Sequence, residues 1–132
     1  MNNNSILFII YIMNNIMNDK VIRPWGYYEN IYGDDHNGYK VKKIVVYPNK
    51  RLSLQSHNNR SEHWVIVNGI GKVQVGEAFY IVYKNEYIYI PVKEIHRIEN
   101  IGDDLLELIE TQVGDYLGED DIIRYEDDFG RK

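Results

Sequence analysis

The chain has 132 residues, no cysteine, twelve tyrosines and a formal net charge of −5. That length suits one domain with its own core. The missing cysteines exclude disulfides, thiolate metal sites and thiol catalysis and fit a reducing, cytoplasmic setting, and the acidic balance excludes a basic nucleic-acid surface.

Residues 1–17 stand apart from the rest. Ser5 to Met13 is apolar but too short to span a bilayer, and it lacks the basic start and small-residue cleavage site of a secretory signal. No membrane partner is expected. Asparagines flank the run, and Met13 and Met17 read as alternative starts. The expectation is a disordered extension over 1–17, with a short helix on the outside of the fold as the alternative. A single domain over 18–132 follows.

From Val21 onward the chain reads as short strands. Pro24 and Gly26 signal a turn before an edge strand, and Gly33 to Gly38 is a polar loop. Tyr39 to Tyr47 alternates as a strand, ended by Pro48. Gln55 and His57 stand two residues apart, so on a strand they leave the same face. A turn at Asn58-Asn59-Arg60 leads into a strand that sets Glu62, Trp64 and Ile66 on one face. Paired as a hairpin, these strands would bring Gln55, His57 and Glu62 to one point, with His96 the candidate for a fourth ligand. Asn68-Gly69 closes the hairpin with a strong turn signal. Further strands follow at Gly71–Val75, Phe79–Tyr83, Tyr87–Ile90, Glu94–Asn100 and Leu105–Gly114. The tail from Glu119 to Phe129 reads as helical or irregular. About eight strands at roughly ten-residue spacing, rich in Tyr, Ile and Val, predict an antiparallel all-β sandwich or closed barrel.

Two imidazoles, a carboxylate and an amide oxygen suit a borderline divalent ion such as zinc. Lys42, Arg51, Arg60, Arg97, Arg124 and Arg131 are the cations available to a phosphate. Among them Arg51 and Arg97, together with Trp64, are the substrate-binding candidates. His63 alternates away from the metal, and His36 lies in a solvated loop.

These residues resemble the two motifs of the cupin superfamily. The first, G-x5-H-x-H-x4-E-x6-G, is met by Asn49, Gln55, His57, Glu62 and Gly69. The second, G-x5-P-x-G-x2-H-x3-N, is met by Asn85, Pro91, Lys93, His96 and Asn100. Asn49, Asn85 and Lys93 replace glycines, and Gln55 replaces a histidine. A narrower resemblance, to type II mannose-6-phosphate isomerases, runs from Arg23 to Arg131. It is carried by Arg51–His57, Arg60–Val65, Tyr89–Pro91, Ile95–Arg97, Leu106–Glu110 and Gly114–Asp127. Glutamine occupies the first ligand position in that group.

The resemblance implies a cupin jelly-roll barrel with a metal held by Gln55, His57, Glu62 and His96. It implies interconversion of mannose 6-phosphate and fructose 6-phosphate through an enediol-like intermediate, with Lys42 and Arg124 as catalytic residues. The proton-shuttling base is open between Lys42, Glu62 and hydroxide at the metal. Small cupins often form homodimers. The domain is usually the C-terminal part of a bifunctional enzyme, and the nucleotidyltransferase part is not among these residues, so guanylyl transfer is not expected. A sugar-phosphate-binding cupin without turnover, or another sugar-nucleotide isomerase or epimerase, are the alternatives. Tyr116, Leu117, Ile122, Ile123 and Tyr125 should dock the tail, leave its acids outside and bring Arg124 to the pocket mouth.

Overall fold

The computed structural model describes residues 2–18 and 20–132. One helix, α1 (Asn3–Asn18), precedes eleven strands among them. These are β1 (Lys20–Arg23), β2 (Gly26–Tyr32), β3 (Tyr39–Val46), β4 (Leu54–Ser56), β5 (Arg60–Asn68), β6 (Gly71–Val75), β7 (Ala78–Val82), β8 (Tyr87–Ile90), β9 (His96–Asn100), β10 (Leu106–Gly114) and β11 (Ile123–Glu126). All named pairings are antiparallel. They form a six-stranded sheet, β1-β2-β3-β10-β5-β8, and a five-stranded sheet, β11-β4-β9-β6-β7.

The all-β antiparallel class is as the sequence predicts. The closure is not: among the described residues no ladder joins the two sheets, so the jelly roll is an open sandwich rather than a sealed barrel. In the N-terminal segment, where the sequence reading expects a disordered extension and keeps a helix as the alternative, the chain is helical over Asn3–Asn18. The N–H of Ser5 donates to Asn2 Oδ1 at 2.8 Å, a side-chain cap on the first turn. Ile6, Leu7, Phe8, Ile9, Ile10 and Ile12 of α1 are exposed.

Period-2 alternation explains where the core sits. Along β10 the inward residues are Leu106, Leu108, Glu110 and Gln112. Along β3 they are Lys40, Lys42, Ile44 and Val46, and along β5 they are Arg60, Glu62, Trp64 and Ile66. Antiparallel register sets Leu108 opposite Ile44 and Ile66 and Gln112 opposite Lys40 and Glu62, while Glu110, between Lys42 and Trp64, marks the change from apolar to polar. One end of the sandwich is therefore an apolar plug, joined by Val73, Val82 and Ile98 from the second sheet. Each such aliphatic group contributes about 1.5–3 kcal/mol by leaving water. The other end is a polar interior.

Three local expectations change. The strands carrying Gln55 and Glu62 do not form a hairpin; β4 pairs with β9 and β11 in one sheet, and β5 pairs with β8 and β10 in the other. The Asn68-Gly69 turn likewise carries the chain between sheets. Gly69 sits at φ 86°, and a Cβ there would lie 2.6 Å from the Leu105 carbonyl oxygen, so its backbone admits no side chain. The tail is neither helical nor irregular throughout, because β11 pairs with β4.

Candidate metal centre and its cavity

His57, Glu62 and His96 are buried and present ligand atoms all within 4.8 Å of one another. They arrive from three places. His57 follows β4, Glu62 is the third residue of β5 in the opposite sheet, and His96 opens β9. Gln55 and His96 are Cα partners across the β4–β9 ladder, which brings the fourth candidate alongside. Convergence across the sandwich thus replaces the expected hairpin and yields the same group.

Each imidazole is fixed by its far nitrogen. His57 Nδ1 lies 2.7 Å from the Asp121 carbonyl oxygen and His96 Nδ1 lies 2.9 Å from that of Glu94. Both Nδ1 atoms must donate there, which leaves each Nε2 a bare lone pair turned inward. His57 Nε2 is 3.1 Å from Glu62 Oε1, and His96 Nε2 is 3.5 Å from Glu62 Oε2. His96 Nε2 is buried without a hydrogen-bond partner. Burial alone would push the Glu62 carboxyl up, but the neighbouring His96, His57 and Arg60 hold it well below the usual carboxylate range. A buried ionised carboxylate and two oriented imidazoles, one otherwise orphaned, fit a divalent cation. Gln55 turns Nε2 toward His57, at 3.4 Å, while its Oε1 accepts from Ser53 Oγ at 2.7 Å; half a turn of the amide would present oxygen instead.

A cavity of about 140 Å³ lies between the sheets in front of this group. Gln55 and His57 form one wall, Lys42, Glu110 and Gln112 another, and Glu119 and Arg124 come from the tail. Arg23, Lys42, Arg60, Arg124 and Arg131 supply five cations to the lining, against two carboxylates, Glu110 and Glu119. Lys42 pairs with Glu119 and sits 4.2 Å from the Tyr28 ring centroid. Arg60 donates to Glu62 Oε1 at 3.0 Å, and Arg131 is held by Asp127. Arg124 Nε is buried and has no partner among the described residues. Burial, followed by the nearby Arg131 charge, lowers the Arg124 pKa, which marks a guanidinium short of counter-charge.

The other candidates stand elsewhere. Arg51 binds Asp128 through Nε at 2.8 Å and Nη2 at 2.9 Å, and does not line the cavity. Arg97 donates to the Leu52 carbonyl and to Glu126, both at 3.0 Å, and is also outside the lining. Arg51 is thus held by the tail, and Arg97 by the tail and Leu52, although Arg97 Nη2 is buried with no partner among the described residues. Trp64 is buried behind the cavity, where its Nε1 donates to Glu62 Oε2 at 3.0 Å and orients that carboxylate. His63 faces outward and bonds the Tyr87 hydroxyl, and His36 is exposed. Glu110 and Gln112 escaped the sequence reading. The signal was available, since they continue the inward phase of Leu106 and Leu108 along one strand.

Two facing antiparallel sheets with a His–Glu–His cluster between them define a cupin, and solved cupins agree. The chain superposes on the capsular polysaccharide assembling protein CapF of Staphylococcus aureus with a TM-score of 0.69 at 21% identity, covering 82% of this chain and 34% of that one. It superposes on the Cnp3 cupin domain of Schizosaccharomyces pombe with a TM-score of 0.64 at 15% identity, covering 67% and 64%. By sequence, the chain belongs to the family described as mannose-6-phosphate isomerase C-terminal, which matches residues 13–127. It is 49% identical to the xanthan biosynthesis protein XanB of Xanthomonas campestris pv. campestris over 85% of this chain and 24% of that protein. It is 50% identical to mannose-1-phosphate guanylyltransferase 2 of Escherichia coli O157:H7 over 83% of this chain and 22% of that protein. The chain therefore spans about a quarter of the length of the curated relatives it matches. Among the described residues no helix is long and apolar enough to cross a membrane.

Proposed function

We propose that this chain is a metal-dependent isomerase that interconverts mannose 6-phosphate and fructose 6-phosphate. The observation that carries the reading is that the candidate metal centre reaches, through His57 with Gln55 beside it, a cavity that an under-compensated guanidinium also lines. His57, Glu62 and His96 would hold the ion, with Gln55 as fourth ligand, and zinc suits this donor set. When bound, a divalent ion supplies Lewis-acid polarisation of sugar oxygens.

The chain's own side chains would do the rest. Arg124 meets the phosphate with a planar pair of donors, and Arg23 adds a second positive charge on the same lining. Lys42, held by Glu119 and the Tyr28 ring, keeps a fixed positive charge beside the reacting end of the sugar. Trp64 and Arg60 keep Glu62 ionised and oriented. The family membership supports the substrate class.

A coupled assay for fructose 6-phosphate, with purified chain and mannose 6-phosphate, with and without added zinc, tests the proposal. Metal-dependent product formation is expected. Binding of mannose 6-phosphate without turnover would instead favour a sugar-phosphate-binding module.

A further inference from the structure

Isomerisation of an aldose phosphate needs a group that takes a proton from one carbon and returns it to the next. The cavity lining contains few acceptors. His57 turns Nε2 toward Glu62 and Gln55, Lys42 and Glu119 are joined in an ion pair, and the arginines are permanent cations. Glu62, the buried carboxylate behind them, accepts from Arg60 and Trp64 and faces the two imidazoles of the candidate metal centre. Glu110 remains. It is buried at 4% exposure, it lines the cavity, and its one side-chain hydrogen bond comes from Gln112 Nε2 at 2.6 Å.

We propose that Glu110 is the proton-transferring base of the isomerase, held in position by Gln112; the inference rests on the isomerase reading above. Glu110 sits on β10, the central strand of its sheet, with Lys42 opposite on β3 and Trp64 opposite on β5. Among the described residues it has no ion pair although Lys42 is its direct cross-strand neighbour, because Lys42 is drawn to Glu119. Gln112 Oε1 is buried, unpartnered and on the same lining, so it can accept from a sugar hydroxyl while its nitrogen steadies the carboxylate. Burial first, then the Glu62 charge, raise the Glu110 carboxyl to about 7, against the lowering pull of Arg60 and Lys42. A carboxyl so placed both accepts and releases a proton near neutrality.

The step balances without a further reactant. The Glu110 carboxylate takes the proton from C2 of open-chain mannose 6-phosphate. The C2–H electron pair becomes the C1=C2 bond, and the carbonyl pair moves onto O1, which takes the proton of the neighbouring O2 hydroxyl. The O2 pair then forms the C2 carbonyl, and the C1=C2 pair takes the proton from Glu110 onto C1.

The test runs the full chain with zinc and mannose 6-phosphate in deuterated water, following deuterium at C2 and C1 by NMR alongside fructose 6-phosphate. Wild type should incorporate deuterium and form product. Glu110→Gln should lose both by about a hundred- to ten-thousand-fold, with zinc content, thermal midpoint and calorimetric binding of mannose 6-phosphate unchanged. Glu110→Asp keeps the charge but withdraws it by one methylene; it should fold and lose at least about tenfold in exchange. Exchange at the wild-type rate in either folded variant overturns the role of Glu110 and leaves the isomerase reading standing. A wild type that binds the sugar phosphate but neither exchanges nor converts it overturns both.

Discussion

At three places the cupin motifs carry glycine where this chain does not, and the backbone there keeps the conformation that glycine favours. Asn49, Asn85 and Lys93 stand at φ 64°, 76° and 70°. Asparagine tolerates the left-handed region through local hydrogen bonds, whereas lysine gains nothing there. The exposed Lys93 should therefore be a removable strain. Lys93→Gly relieves about 1–2 kcal/mol and gives back about half of that as unfolded-chain entropy. A small rise in the urea midpoint is expected; an unchanged or lower midpoint contradicts it. Arg124→Lys should raise KM or lower kcat by at least about tenfold, or ~1.4 kcal/mol, since an ammonium cannot reproduce a two-pronged phosphate contact. The thermal midpoint should stay put, and wild-type kinetics would remove Arg124 from the site. His57, Glu62 and His96 were readable because their spacings match the two motifs that the sequence resembles, although the hairpin first expected to bring them together does not form. Glu110 was harder, as an acid amid alternating aliphatics reads as solvent-facing until its neighbours fix the phase.

Among the elements, the tail differs most from its sequence reading. Leu117 is buried and Ile122 half-buried, as docking requires, but Ile123 and Tyr125 are exposed and the acidic Asp121 is buried. Asp121 is a clasp: its carboxylate accepts from the N–H groups of Asn58 and Asn59, both at 2.9 Å. Burial would raise its pKa, but those two donors hold it below the ordinary value. Arg131 likewise lowers Asp127, and Arg51 lowers Asp128. Each contribution is present above the unfolded aspartate pKa of about 3.9 and disappears as pH falls through the depressed folded value. Tail docking should therefore weaken below about pH 4, read as rising proteolysis or hydrogen exchange after Gly114. Asp121→Ala removes two hydrogen bonds to a charged group from the backbone of the exposed Asn58 and Asn59 and should cost about 1–3 kcal/mol by urea unfolding. Stability equal to wild type would contradict the clasp. Apolar content announced that the tail would dock, but β11 pairs with a three-residue strand far away in sequence, and no local pattern encodes such a partner.

Over the whole molecule, charge is divided unevenly. A chain of net charge −5 keeps five cations on one cavity lining. The KM for a sugar phosphate should rise with ionic strength, while the thermal midpoint, set mainly by the apolar end of the sandwich, changes less. A salt-independent KM would argue against phosphate capture in this cavity. Because the described side chains of α1 are exposed, a chain starting at Met17 should keep its thermal midpoint and activity. The fold class was readable from strand spacing. Which sheet each strand joins was not, because crossing between sheets and turning within one use the same Asn-Gly chemistry.

The contact between His57 Nδ1 and the Asp121 carbonyl joins a ligand side chain of the metal candidate directly to the tail. Thermodynamic reciprocity gives that bond a wider meaning. Whatever favours this ring position favours the docked tail by the same factor, and whatever frees the tail weakens the grip on the ring. Stripping a zinc-loaded sample with chelator should raise hydrogen exchange in β11 as well as at the ligands, and Asp121→Ala should weaken zinc binding although it removes no ligand.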